Sequence, residues 1–308
     1  TTDLMDIFIL IFQRILSNTF YPVPQRAIGV GSAFEGWSAR EEDIVYRVLL
    51  VCTCPREQPG ENTLCFLHHP EEQQRGNEEP TFLNTLCTGS YLDVEKTARW
   101  FYQLVSASWR ALPQSLNWHL VLLPSSRSCK FKVARGRESL TVEILFGVRE
   151  GDSDIFVSSQ HTETLFTPST MWPETYAVAE MRFFRYITSQ VPRDSWHLRC
   201  LQLLARALVG IGFSTYTLKT IVMHLLNTIP VSRWSRRHFL QRLGDAMWYL
   251  HFSLLEKRLD HFIVGNQHVP EVIRLPPDVQ NAEPSNLFLH LAQDLAAHTQ
   301  AMDESHEL

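Results

Sequence analysis

The chain reads as an α+β protein in two lobes, on three observations. Short strand-like runs rich in β-branched residues fill the first half. From about Trp172 the texture changes to helix after helix, punctuated by Pro192, Pro230, Pro270 and Pro276-Pro277. Between an apolar helix and the first long strand stands a small-residue turn, Gly29-Val30-Gly31-Ser32-Ala33. The shift near residues 160–172 is the best boundary. It predicts a mixed lobe over 1–165, with a short twisted sheet and an N-terminal core helix, and an all-helical lobe over 166–308. A length of 308 residues, 44% hydrophobic and 20% charged, is ample for two cores.

Leu4 to Leu16 is strongly apolar but carries Asp6, Gln13 and Arg14. It falls short of the roughly 20 apolar residues a membrane span needs, so it reads as a buried core helix with Leu4, Ile7, Phe8, Ile11 and Ile15 on one face. Ile44–Thr53 reads as a strand, and Pro55 to Pro80, with its Glu71–Glu79 charge run, as a solvated loop. A helix from Asp93 to about Leu112 stops at Pro113, its aromatic cluster Trp100, Phe101, Tyr102 and Trp109 serving the core. Strands follow at Trp118–Leu123, Cys129–Ala134, Leu140–Val148 and Asp154–Ser159, with turns at Ser125-Ser126 and Arg135–Arg137. The helices of the second lobe are Glu174–Gln190, Trp196–Val209, Thr215–Thr228, Arg237–Leu259 and Pro284–Met302.

Twenty-eight basic against thirty-three acidic residues give −5, so no general field for nucleic acid exists. The local run Arg233–His238 reads as a charged helix start. Six cysteines without dense spacing point to a reducing compartment rather than a disulfide scaffold. Cys52, Cys54, Cys65 and His68 form a thiol and imidazole set that tetrahedral zinc accepts, although C-x-C is tighter than the usual spacing and cysteines in an apolar strand are commonly inert core thiols. Structural zinc is the one cofactor the residues suggest. For nucleophilic catalysis His68, His69, His119 and His197 have no motif context and read as surface or hydrogen-bonded histidines.

Phe213-Ser214-Thr215-Tyr216-Thr217-Leu218-Lys219-Thr220, with His224 beyond, resembles the helix-start signature of the Mab-21 family. The order of Gly31-Ser32, a four-strand mixed half and a helical half is similar to that family's order. Leu259–Asn266 and Asn281–Phe288 resemble its inositol 1,4,5-trisphosphate receptor-interacting protein-like branch, nearest the like-1 group. The resemblance implies a two-lobed nucleotidyltransferase-like fold and, in the whole protein, an upstream single-pass membrane segment; the reducing compartment read from the cysteines then places this domain on the cytoplasmic side. Relatives in this branch are not known as working enzymes.

Nucleotidyl transfer needs two carboxylates at i, i+2 on one strand, plus a third on a neighbour, to hold two divalent ions with hard oxygen ligands. Two registers can be drawn for the pair. In one, Val45 and Arg47 stand there, so positive charge replaces a metal ligand. In the other, Glu41 and Asp43 do, and Glu42 points into a face that should be buried, at a cost of several kcal/mol. The first register is favoured. Glu143 fits the third position, where it pairs with Arg47 or meets solvent rather than holding metal. The resemblance further implies that Gly31 and Ser32 stand at the phosphate-contacting turn, and Thr215 and Tyr216 at positions that contact and stack a base. Capping of the helix by Ser214 or Thr215 explains that motif without a ligand. No zinc-bearing insertion for gripping duplexes lies between Asp194 and Ser214. These readings converge on a catalytically silent nucleotidyltransferase-fold module that works by binding a protein, with no nucleic-acid partner. The alternative is an active or nucleotide-binding transferase using Glu41, Asp43 and Glu143.

Overall fold

The computed structural model describes residues 2–16, 24, 26–39, 44–51, 85–89, 91–160, 167–192, 194–207 and 213–306. The chain divides into two compact units, one comprising Thr1–Phe34 and Asp43–Val178, the other Glu35–Glu42 and Ala179–Leu308.

The first unit is built on one mixed sheet. Its strands are β1 (Arg26–Val30), β2 (Val45–Val51), β5 (His119–Leu123), β6 (Cys129–Arg135), β7 (Glu138–Arg149), β8 (Phe156–Ser158) and β9 (Glu174–Thr175). A separate hairpin pairs β3 (Cys87–Thr88) with β4 (Tyr91–Leu92). The sheet order is β1-β2-β7-β6-β5, and among the described residues only β2 and β7 run parallel. β8 pairs with the last residues of β7, beyond the stretch that pairs with β6. Strict alternation puts Cys129, Phe131 and Val133 of β6 and Val142 and Ile144 of β7 into the core, against Phe8 and Phe12 of α1 (Thr2–Leu16) and Phe101 and Val105 of α3 (Val94–Trp109). β7 changes character along its length: after Glu143 every residue through Val148 is buried, so Glu143 is the last open side chain before that buried run. Asp93 caps α3, its Oδ1 accepting from Lys96 N at 3.0 Å and its Oδ2 from Thr88 and Ser169.

Three expectations for this unit change. The buried face of α1 is Met5, Phe8, Ile9, Phe12 and Leu16, with Leu4, Ile7 and Ile11 only partly covered. A helix apolar around most of its circumference gives periodicity no single face to select. Arg26–Val30 is a strand rather than part of the turn, and Gly29 is fixed by packing: a Cβ there would sit 2.3 Å from the Phe34 ring. The unit also runs to Val178 rather than 165. Trp172 is buried and donates to Leu92 O at 2.9 Å, Glu174–Thr175 pairs with β8, and buried Arg127 donates to the carbonyls of Ser159, Pro168 and Met171.

The second unit is helical: α4 (Ala177–Gln190), α5 (His197–Ala207), α6 (Thr215–Thr228), α7 (Phe239–Leu255), α8 (Pro277–Asn281), α9 (Leu289–Gln293) and α10 (Leu295–His306). The stretch 284–302 is therefore not one helix. Asp294 interrupts it and starts α10, its Oδ1 accepting from Ala296 N and Ala297 N. α7 ends sooner than expected, with Lys257 in the left-handed region at φ 52°. Leu259–Asn266 and Asn281–Phe288 meet each other: Asn286 Oδ1 accepts from Leu259 N and Phe288 N, its Nδ2 donates to Lys257 O, and His261 N donates to Ser285 O. Their specificity as a pair has a structural cause, since each supplies the other's backbone hydrogen bonds. Among the described residues no helix is long and apolar enough to cross a membrane.

Candidate functional site

In the first unit the sequence-predicted residues assemble on the open face of the sheet. β1 turns at Gly31, whose φ of +77° is the left-handed conformation glycine tolerates, and Phe34 N closes the turn on Gly31 O at 3.0 Å. Ser32 opens the short α2 (Ser32–Glu35). The register fixes what lies beside the turn: Val30 pairs with Arg47, Arg47 with Glu143, and Glu143 with Lys130 across adjacent strands. Arg47 Nε lies 3.1 Å from Glu143 Oε2, and Ser128 Oγ donates to Glu143 Oε1 at 3.0 Å, so both carboxylate oxygens already hold donors. Val45 and Arg47, the i, i+2 pair on β2, offer a divalent cation no oxygen ligand, and the guanidinium opposes one. These residues do not fit a two-metal centre. Glu41 and Asp43, and the zinc candidates Cys52, Cys54, Cys65 and His68, lie outside the described residues.

Cys87, Cys129 and Cys200 are buried, and burial pushes the thiols of Cys129 and Cys200 up to about 12, which makes them unreactive.

Thr215 and Tyr216 lie in the second unit. Ser214 is the N-cap of α6, its hydroxyl accepting from Thr217 N at 3.1 Å. Thr215 is exposed on the first turn. Tyr216 enters a buried polar network that sequence reasoning missed. Its hydroxyl lies 2.8 Å from both Glu180 Oε1 and His261 Nε2. Backbone N–H groups of Ile263 and Val264 both donate to His261 Nδ1 at 3.1 Å, so the imidazole proton is on Nε2 and is given to Tyr216, whose own proton goes to Glu180. Lys219 Nζ then joins Glu180 Oε2 at 2.6 Å to Glu35 Oε1 at 2.7 Å, and Trp37 Nε1 donates to Glu35 Oε2 at 2.6 Å. The charged side chains of this chain of donors are all at most 5% exposed.

Burial pushes Glu35 above its ordinary range, and Lys219 and Trp37 offset only part of that. Burial alone would raise Glu180 too, but Lys219, His261 and Tyr216 together hold it low. Lys219 resists burial because its two carboxylates hold it above its ordinary value. Burial also lowers His261, in keeping with its neutral form. The need for these partners is plain only once burial is known. Lys219 sits in a stretch of α6, Thr217 to Met223, that is buried throughout, and a lysine there must be paired.

No protein-family model matches the chain. It is 32% identical to inositol 1,4,5-trisphosphate receptor-interacting protein-like 1 of Rattus norvegicus over 337 aligned residues, covering 96% of this chain and 62% of the relative. It is 30% identical to inositol 1,4,5-trisphosphate receptor-interacting protein of Takifugu rubripes, over 83% of this chain and 50% of the relative. The human protein of that name is likewise 30% identical, over 84% of this chain and 50% of the relative. The chain is a homologue of the inositol 1,4,5-trisphosphate receptor-interacting proteins. It spans about half to three-fifths of the length of these relatives. The branch expected from Leu259–Asn266 and Asn281–Phe288 is thus the branch to which the chain is similar.

Proposed function

We propose that this chain is a protein-interaction module on a nucleotidyltransferase-like scaffold that has lost its chemistry, and that its partner is an inositol 1,4,5-trisphosphate receptor, as the names of its homologues state for them. The observation that carries the loss of chemistry is the Arg47–Glu143 ion pair. On the face where a Mab-21-like transferase would set two carboxylates, β2 presents Val45 and a guanidinium, and Glu143 is occupied by Arg47 and Ser128. Two divalent ions would meet one carboxylate that is already neutralised. Turnover would also require Gly31-Ser32 to hold phosphates that no metal helps to neutralise. The resemblance adds a membrane tether outside this chain, which would bring the module to its receptor at a bilayer.

The test has two arms. Incubation with ATP, GTP and magnesium or manganese is expected to yield no product, and the purified chain is expected to capture purified receptor. Metal-dependent product that disappears on Glu143→Ala would restore the transferase reading, with Glu41 and Asp43 as the missing ligands.

A further inference from the structure

Helix α7 carries an outward face of unusual composition. Its inward side, with Ala246, Leu250 and Leu254, is buried, as an amphipathic helix requires. At about 100° per residue the opposite arc should be polar. Instead it holds Leu240, Trp248, Phe252 and Leu255, which are 80, 66, 48 and 54% exposed. Trp248 and Phe252 are one turn apart, with ring centroids 5.4 Å apart at 10°, so they present one joined aromatic surface. Single exposed leucines are ordinary; a run of four large apolar side chains along four turns of one helix is not. Trp is also the residue type most enriched among those that dominate interface energetics.

Charge says what kind of surface meets this one. Immediately before α7, a turn at Arg236–His238 leaves Arg236 and Arg237 exposed, and among the described residues neither has a carboxylate partner. Arg236 lies over the Trp196 ring at 5.6 Å, which holds its guanidinium in place. Asp245, the nearest acid on the helix, is spent on Arg242. The apolar arc therefore has a fixed, uncompensated positive end.

We infer that the outward face of α7 docks an amphipathic helix of the partner protein, its apolar side on Leu240, Trp248, Phe252 and Leu255 and its carboxylates on Arg236 and Arg237. This inference rests on the interaction reading proposed above and names the surface that performs it. A protein rather than a bilayer is favoured because the free positive charge is confined to Arg236 and Arg237 at one end of the arc, whereas a helix lying in a membrane interface is rich in Lys and Arg along its polar face, and the one arginine within α7, Arg242, is buried and paired.

The test titrates immobilised, purified inositol 1,4,5-trisphosphate receptor with the wild-type chain, with Trp248→Ala/Phe252→Ala and with Arg236→Glu/Arg237→Glu. The aromatic variant should lose about 30-fold or more in affinity. Charge reversal should cost about 3- to 10-fold and flatten the salt dependence. Unchanged melting midpoints would show that both variants fold. If wild type binds and both variants bind equally well, the surface is wrong while the interaction reading stands. If wild type does not bind, that reading fails and this inference falls with it. A parallel arm uses phosphatidylcholine–phosphatidylserine vesicles. Vesicle binding lost in both variants, with receptor binding intact, would make α7 a membrane-facing helix and overturn the proposal.

Discussion

Arg47–Glu143 and Lys219 with Glu35 and Glu180 are both bridges of opposite charge, yet they do different work. Arg47 is 47% exposed and Glu143 18%, on an open sheet face where water screens the pair. Lys219, Glu35 and Glu180 are 5, 0 and 5% exposed and joined at 2.6 to 2.7 Å. An exposed pair contributes about 1 kcal/mol or less, so Arg47 is not needed for stability; on the proposed reading its importance is that it stands where a metal ligand would. The buried cluster is a structural commitment, because removing one member strands the others without water. Charge on the sheet face is free to change with function, whereas charge in the helical unit is locked by the fold.

The largest effect expected from this contrast is at Lys219. Lys219→Met leaves two buried carboxylates facing each other and should cost about 3–5 kcal/mol in urea unfolding. Adding Glu35→Gln and Glu180→Gln should recover most of that loss. A cost below about 1 kcal/mol for the single variant would mean the cluster is not sealed from water.

Acid is the next lever, and it acts on the second unit. Burial holds His197 down at about 4, and it also lowers His224 and His261 from the ordinary 6.5. A histidine lowered in the folded state gives stability that is present above 6.5 and is lost as pH falls, for His197 through about 4. Each such group tilts stability by up to about 1.4 kcal/mol per pH unit in that window. Glu180, held low, adds its own loss below 4.5, whereas Glu35, held high, gains stability as pH falls toward 4.5 and so opposes the histidines in that upper window. Melting midpoints should therefore fall from pH 6.5 to pH 4.5, where three lowered histidines outweigh the one raised carboxyl. His197→Gln should flatten the slope, and a midpoint constant across that range would contradict this account.

The smallest effect is expected on the sheet. Arg47→Ala should change stability by less than about 1 kcal/mol, and a chemical-denaturation curve displaced further would mean the pair has a structural role.

How much of this was legible in the sequence follows from where the chain's constraints are local. β6 and β7 announce themselves because Cys129-x-Phe131-x-Val133 and Val142-x-Ile144 alternate across a sheet with one open face. That same period-2 rule set Arg47 on the open face beside Glu143, since parallel strands in a fixed register leave no other side for them. The network around Lys219 was not legible. Glu35 and Glu180 are 145 residues apart in number, and a lone lysine in a helix usually marks solvent. Only the unbroken burial from Thr217 to Met223 gives it away. Helix ends were also hidden, because Asp294 acts through a side-chain cap and Lys257 through a left-handed backbone, neither of which hydrophobic spacing records.

Manganese binding by the purified wild-type chain and by Glu143→Ala, followed at neutral pH, tests the central claim most directly. With Arg47 on Glu143, both proteins should show no saturable site that depends on this carboxylate. Saturable binding by wild type that vanishes in Glu143→Ala would contradict the account and return the sheet face to metal-dependent chemistry.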